Sequence, residues 1–198
     1  MQIVLNIILV ILAVDFGSGL LHWFEDSYGH PDWPITGKWI TRPNILHHKN
    51  PNAFTANSWL HSAKVLLVIG AAIIAVSWAF GALSWQLLLF VAIGANANEI
   101  HKWNHLPKGK RGFLVVLLQD ARLLQSAKHH GRHHAGSKDS HYCVITNVVN
   151  PVLEFIHFWR RLEWLVEHLL GIQKRPEPGT QRAIKALEPV ENRTGARQ

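Results

Sequence analysis

VLLVIGAAIIAVSWAFGALSWQLLLFVAIGANAN, residues 65–98, contains no charged side chain. A helix crosses a bilayer with about 20 residues, so an uncharged run of this length must fold back on itself. Gly81-Ala82-Leu83-Ser84 marks the turn between VLLVIGAAIIAVSWAF and WQLLLFVAIGANAN. Trp59 and Trp78 bracket the first piece, and Trp85 and Trp103 the second, each pair about 28 Å apart at the helical rise. Tryptophans at that spacing suit the two interfaces of a membrane. A soluble domain rarely hides so long an uncharged run, so the hairpin reads as spanning rather than as a buried core.

Toward the N-terminus, MQIVLNIILVILAVDFGSGLLHWFE (residues 1–25) is a third apolar segment of spanning length. It lacks a positive start and a small-residue cleavage site, and it carries Asp15 and His22, so it reads as a retained helix rather than a signal peptide. A carboxylate at the depth of Asp15 is costly, which predicts a pairing partner within the bundle. Positive charge follows this N-terminal segment (Lys38, Arg42, Lys49) and the second piece of the hairpin (Lys102, Lys108, Lys110, Arg111), while the Gly81–Ser84 turn has none. The positive-inside rule then places the N-terminus outside, and residues 23–60 and those from 103 onward in the cytoplasm.

The second half is amphipathic. FLVVLLQDARLL (Phe113–Leu124) is too short to span and suits an interfacial or re-entrant helix, and Pro151–Leu170 mixes apolar residues with Arg160, Arg161, Glu163 and Glu167. From Lys174 the composition turns polar and Pro/Gly-containing. The organisation expected is one domain over residues 1–173 and a disordered tail over 174–198. The fold class is all-α: an integral membrane helical bundle with three to four spanning or re-entrant helices and a cytoplasmic histidine-rich helical cap. A net charge of +7 on such a chain points to an anionic membrane surface and not to nucleic acid. The single cysteine, Cys143, excludes an internal disulfide and a cysteine-based zinc or iron–sulfur site.

Fourteen histidines against 13 acidic residues give the chain its chemistry. They cluster as His22 with Asp26 one turn later, as His47-His48, as His101 and His105 at i, i+4, and as His129-His130-Gly131-Arg132-His133-His134. The i, i+4 pair shares a helix face, and a helical HHxxHH lets at least three ring nitrogens converge. The topology puts all four clusters on one side of the membrane. Nine clustered histidines exceed what one tetrahedral zinc ion takes, so two ions are the simpler fit, and imidazole alone does not name the metal. His30, His61, His157 and His168 stand apart and read as interfacial or structural.

DFGSGLLHW (Asp15–Trp23), PITGKWITRP (Pro34–Pro43) with His47-His48, NEIHKWNH (Asn98–His105), LLQD (Leu117–Asp120), KHHGRHH (Lys128–His134), NPVLE and FWRRLE resemble the plasmanylethanolamine desaturase family, the Kua/CarF type of membrane lipid desaturase. The likeness covers residues 14–165. It implies a membrane-embedded, O2-dependent enzyme with two Fe ions, fed electrons by a carrier such as cytochrome b5 or ferredoxin with its reductase. Motif by motif, it places the metal ligands at His22, His47, His48, His101, His105, His129, His130, His133 and His134. Asp26 and Asn98 also match, and these two with Asp120 are candidates for orienting the ligand imidazoles. After HHxxHH the family's Pro-His-Glu-Thr-Tyr is replaced by Ser137-Lys138-Asp139-Ser140-His141, ahead of Tyr142-Cys143.

The implied reaction forms the vinyl ether bond of plasmalogens from an alkyl-ether phospholipid in a bacterial inner membrane, with an acyl-lipid desaturase or related di-iron oxidase as the alternative. Two other classes remain open on the residues. A metal transporter requires ligands near the bilayer midplane, where only Asp15 lies. A bis-histidine haem protein leaves HHxxHH unexplained.

Overall fold

Apolar residues on every side of a helix leave it no soluble face. Helix α1 (Gln2–Ser27) has that composition and is long and apolar enough to cross a membrane. A π turn over Gly37–Thr41 leads into α2 (Arg42–Lys49), where Pro43 sits in the first turn and costs no hydrogen bond. Ser58 caps α3 (Trp59–Ala79), its Oγ accepting the His61 N–H at 3.3 Å, and α3 is the second helix of spanning length and hydropathy. The computed structural model describes residues 1–135 and 138–175, and among these all regular structure is helical.

The hairpin folds back where the sequence predicts. Gly81 takes φ +65°, a left-handed conformation that closes α3, with the Ala82 N–H on the Ser77 carbonyl at 2.8 Å. Ser84 then caps α4 (Trp85–Ala95). Gly70 permits close contact in the hairpin, since a Cβ there would lie 2.6 Å from Val91 Cγ1. The second piece of the hairpin, from Trp85, is not one helix through Trp103. It breaks at Asn96, whose side chain donates to the Ala92 carbonyl at 2.9 Å and accepts the Trp59 indole N–H at 2.9 Å, and α5 (Ala97–His105) starts afresh.

Helix α4, with 11 residues, is shorter than the two helices of spanning length; it packs against both α1 and α3, and the three helices bring the end of α1, the start of α3 and α5 to one end of the bundle. Their outer faces expose a continuous apolar surface, with Ile3 67%, Val68 71% and Phe80 83% accessible. Helix α6 (Phe113–Asp120) is short and exposes Phe113, Leu114 and Leu117, the character expected of an interfacial helix. After it come α7 (Ala127–His130), α8 (Val149–Phe155) and α9 (Phe158–Leu170). The amphipathic stretch Pro151–Leu170 is divided between two helices, because His157 takes φ 50°, ψ 39° between α8 and α9.

Between α7 and α8 the non-helical run Tyr142–Thr146 is buried along its length. Its main-chain groups are satisfied by side chains. Asp15 accepts the Ile145 and Thr146 N–H groups at 2.9 and 3.1 Å, Gln125 donates to the Cys143 carbonyl at 2.6 Å, and Asn150 both accepts from and donates to Cys143. Asp15 thereby finds the partner its depth demands. Val10, Val14, Ala97, Ile100, Val144 and Ile145 form one core cluster, and Trp23, Tyr142, Cys143, Leu153 and Trp159 another. Of the expected tail, Lys174 and Arg175 are bound: Lys174 pairs with Glu163 at 2.6 Å and Arg175 donates to the Glu25 and Asp26 carbonyls. Residues 176–198 lie outside the described residues.

Candidate metal centre

Neighbouring residues of a helix project about 100° apart, so two adjacent histidines on a helix cannot serve one ion without strain but can serve two. The helical pair His47-His48 divides in that way. His47 joins His101, His105, His130 and His134 in one group, while His48 joins His22, Asp26 and His133 in a second. His133 and His134 divide in the same sense. Within each group the possible ligand atoms lie within 4.8 Å of one another.

The first group draws on α2, α5 and α7 with the turn after it. Its Nε2 atoms meet at 3.1 Å (His47–His134), 2.9 Å (His101–His130), 3.3 Å (His101–His105), 2.9 Å (His105–His130) and 3.0 Å (His130–His134). Nitrogens about 2.1 Å from one ion stand about 3.0 Å apart at right angles and about 3.4 Å apart at the tetrahedral angle. Four of the five distances match the shorter spacing, and five donors so placed fit a five- or six-coordinate ion. Phe54 packs on His47, His101 and His105 with ring centroids 4.5, 5.1 and 5.4 Å away, an apolar cover that the sequence did not single out.

The second group is buried throughout. Asp26 Oδ1 lies 3.1 Å from His48 Nε2, and Asp26 Oδ2 lies 3.4 Å from His133 Nε2 and 3.7 Å from His22 Nε2. Neither carboxylate oxygen, nor His22 Nε2, has a hydrogen-bond partner, although all are inaccessible. Buried polar atoms without partners are costly, and a cation shared among them removes the cost. The tautomers agree with this. His22 Nδ1 meets the Tyr142 carbonyl at 3.0 Å and His133 Nδ1 meets the Ser140 carbonyl at 2.8 Å. A carbonyl can only accept, so both Nδ1 atoms carry the proton and both Nε2 atoms present lone pairs to the group. The donor set of imidazoles and one carboxylate fits non-haem iron, as it also fits zinc.

Burial keeps these rings neutral, the state a metal ligand requires. It pushes His47, His130 and His133 well below the ordinary histidine value, and His134 down to about 2, with neighbouring histidines adding to the effect. Burial also pushes the Tyr142 hydroxyl and the Cys143 thiol far up, so both stay protonated.

The remaining sequence candidates are placed differently. His129 belongs to neither group: its Nε2 lies 3.3 Å from Asn150 Nδ2 and its ring faces His141 at 5.5 Å. The helical turn of α7 ends at His130, and His133 and His134 lie in the following turns, so the i, i+4 pair His129–His133 does not converge. Asn98 donates to the Ser62 carbonyl at 2.9 Å, tying α5 to the start of α3 one turn before His101. Asp120 is exposed and pairs with Lys108 at 2.9 Å. Asp26 stands among the candidate ligands themselves. Tyr142 was not singled out as a site residue; its carbonyl holds His22, and its ring packs 5.8 Å from His22 and 5.2 Å from His133.

Two histidine-rich groups side by side at one end of apolar helices are what comparison with known proteins must explain. The lipid desaturase domain model matches residues 11–177. The chain belongs to the lipid desaturase family. It is 33% identical over 187 residues to plasmanylethanolamine desaturase 1 of Mus musculus, covering 88% of this chain and 69% of the mouse protein. Plasmanylethanolamine desaturase of Myxococcus xanthus is 30% identical over 91% of this chain and 66% of its own length. The chloroplastic fatty acid desaturase 4 of Arabidopsis thaliana is 30% identical over 83% of this chain and 51% of its own length. No solved structure matches. Membership makes the chain an oxidoreductase acting on membrane lipid, and it accounts for a histidine cluster able to bind metal beside helices able to cross a membrane.

Proposed function

We propose that this protein is an O2-dependent di-iron desaturase that converts the alkyl ether of a phospholipid into a vinyl ether. The observation that carries the reading is the pair of adjacent ligand groups, His47/His101/His105/His130/His134 and His22/Asp26/His48/His133, in a chain of the lipid desaturase family. Overall, alkyl ether, O2, two electrons and two protons give vinyl ether and two waters, and the electrons come from a carrier such as cytochrome b5 or ferredoxin with its reductase. The two groups would hold iron, which when bound would supply the oxidising power for removing hydrogen from a methylene.

The chain's own residues set the conditions for that step. The Tyr142 and Ser140 carbonyls fix the His22 and His133 tautomers, and Asp26 brings one negative charge to the second group. Phe54 on one side and the buried Tyr142 ring on the other keep water from the rings. The apolar outer faces of α1 and α3 hold the ligand groups beside lipid chains. Lys38, Arg42, Lys49, Lys108 and Lys110 on the histidine side, against an uncharged Gly81–Ser84 turn, favour a cytoplasmic centre with the N-terminus outside, as in a bacterial inner membrane.

Expression in a membrane that supplies alkyl-ether phosphatidylethanolamine is expected to yield acid-labile vinyl ether only with O2 and reductant present. An unchanged lipid profile from a fully iron-loaded protein would overturn the reading. Desaturation of acyl chains in place of alkyl ethers is the second reading, favoured by the altered residues 137–141 and by the relative named a fatty acid desaturase. The same lipid profile decides between them.

A further inference from the structure

Glu25 and Asp26 put two carboxylates in the last turn of α1, where the helix dipole favours a cation, and that turn has no basic residue of its own. The cation comes from far along the chain. Arg175 Nη2 donates to the Glu25 carbonyl at 2.8 Å and to the Asp26 carbonyl at 3.0 Å, across 150 residues of sequence, and the Arg175 N–H donates to the Ser27 carbonyl at 2.7 Å. A helix leaves its last carbonyls without partners of its own, and here one residue satisfies three in a row. We infer that Arg175 is a positioning residue for the second ligand group, fixing the turn that carries Asp26 and holding beside it a positive charge that favours the reduced form of an ion bound there; the inference rests on the di-iron reading above.

The fold delivers Arg175 to that turn. Gly171 closes α9 with φ 66°, a left-handed conformation, and the chain then runs back to the end of α1. Lys174 pairs with Glu163 of α9 at 2.6 Å, so the returning segment is pinned one residue before Arg175. From the other side, Asn44 of α2 donates to Glu25 Oε2 at 3.1 Å, and His48 of α2 meets Asp26 Oδ1 at 3.1 Å. The last turn of α1 is thus braced between α2 and the segment after α9. The α2 brace grips side chains, whereas Arg175 grips the backbone that aims them.

The charge on Arg175 is enclosed. Its Nε and Nη1 are inaccessible and have no hydrogen-bond partner, so no direct ion pair neutralises it. Burial pushes the guanidinium below its ordinary value and the Asp26 carboxylate opposes that push, so the two charges act on each other. Arginine stays protonated all the same. Reduction of a bound iron takes one electron from the carrier and turns Fe3+ into Fe2+, lowering the positive charge by one. The Asp26 carboxylate favours the more highly charged, oxidised ion, and an enclosed cation beside it favours the reduced one. Arg175 therefore offsets part of the bias that a carboxylate ligand introduces.

The test is a reductive titration of the full, iron-loaded chain in micelles, followed by Mössbauer spectroscopy, beside amide hydrogen exchange of the metal-free chain. Arg175→Met removes both the charge and the donors. It is expected to shift the reduction equilibrium of one of the two irons about tenfold toward the oxidised ion, about 59 mV for one electron, and to leave the other unmoved. Arg175→Gln, which keeps an amide donor without the charge, is expected to give the same shift and serves if the Met variant does not fold. Arg175→Lys keeps the charge but not the fork, so its potential stays near that of the natural chain. Exchange over Phe24–Tyr28 is expected to quicken about tenfold in Arg175→Met and Arg175→Lys alike, as the last turn of α1 frays. A mere brace would lower the unfolding temperature and leave both potentials alone, so unmoved potentials in Arg175→Met or Arg175→Gln with both irons bound overturn the charge role. Unchanged exchange over Phe24–Tyr28 overturns the positioning. The expected shifts in a chain that desaturates no lipid sink the desaturase reading alone, while desaturation with unaltered potentials and exchange sinks the role of Arg175 alone.

Discussion

Asp15 accepts the backbone N–H of Ile145 at 2.9 Å across 130 residues of sequence. The bond fixes the buried run that ends in Thr146 against α1, and the same run carries the Tyr142 carbonyl that holds His22. A buried carboxylate within α1 therefore positions a candidate metal ligand two turns away without touching it. Asp15→Leu leaves two buried N–H groups unpaired and is expected to cost about 2–5 kcal/mol of stability. Metal content is expected to fall with it, and Asp15→Asn, which keeps one acceptor, to lose less of both. Thermal unfolding in micelles beside metal analysis checks this, and a Leu variant as stable and as metal-rich as the natural chain would refute it.

The two ligand groups are separable. Purified protein is expected to hold about two iron ions per chain, because the donors exceed one coordination sphere. Asp26→Ala is expected to empty the second group and His134→Ala to weaken the first, each with loss of desaturation, whereas His168→Ala changes neither. Elemental analysis of each variant distinguishes this from a single shared site, for which both substitutions would remove all the metal together.

Acidification should destabilise the metal-free protein. Burial holds His134 down to about 2 and His129 down to about 4, against 6.5 for an ordinary histidine. Below pH 6.5 the unfolded chain takes up protons that the folded chain refuses, so stability is fully present above that value and falls as pH drops toward about 4. Denaturant midpoints at pH 7.5, 5.5 and 4.5 are expected to decrease in that order. A flat profile would mean the rings are solvated in the folded protein.

Sidedness is open to direct labelling because the single native thiol is silent: Cys143 is fully buried and burial raises its pKa. Ser84→Cys, at the exposed hairpin turn, is expected to react with an impermeant maleimide from outside intact cells. Lys110→Cys, also exposed, should react only after permeabilisation. The opposite pattern would invert the topology.

The hairpin was legible because an uncharged run carrying Gly81 and a capping Ser84 states both its environment and its turn. The meeting of histidines from distant segments was also legible, since paired and i, i+4 rings at helix ends have few other uses. The break at Asn96 was not, because it depends on a side chain bonding back to Ala92 and across to Trp59. Periodicity could not show that His129 turns aside, because α7 ends before His133. Asp26 reads in sequence as one acidic residue a turn after His22, and only packing reveals His48 and His133 around it. The left-handed His157 has no signal of the kind that a glycine gives.

His47 and His134 meet across 87 residues, and the pairing of nitrogen against nitrogen is repeated through the five-ring group. A cation bound among the five rings would satisfy these nitrogens together, and it would also fasten α2, α5 and α7 to one another at the cytoplasmic end proposed for them. A copy synthesised in a metal-starved cell would then emerge with that end unfastened and open to quality-control proteases. Nutritional shortage of the ion would then be registered in how many copies survive as well as in how fast each one works, making membrane lipid composition a record of the cell's metal supply.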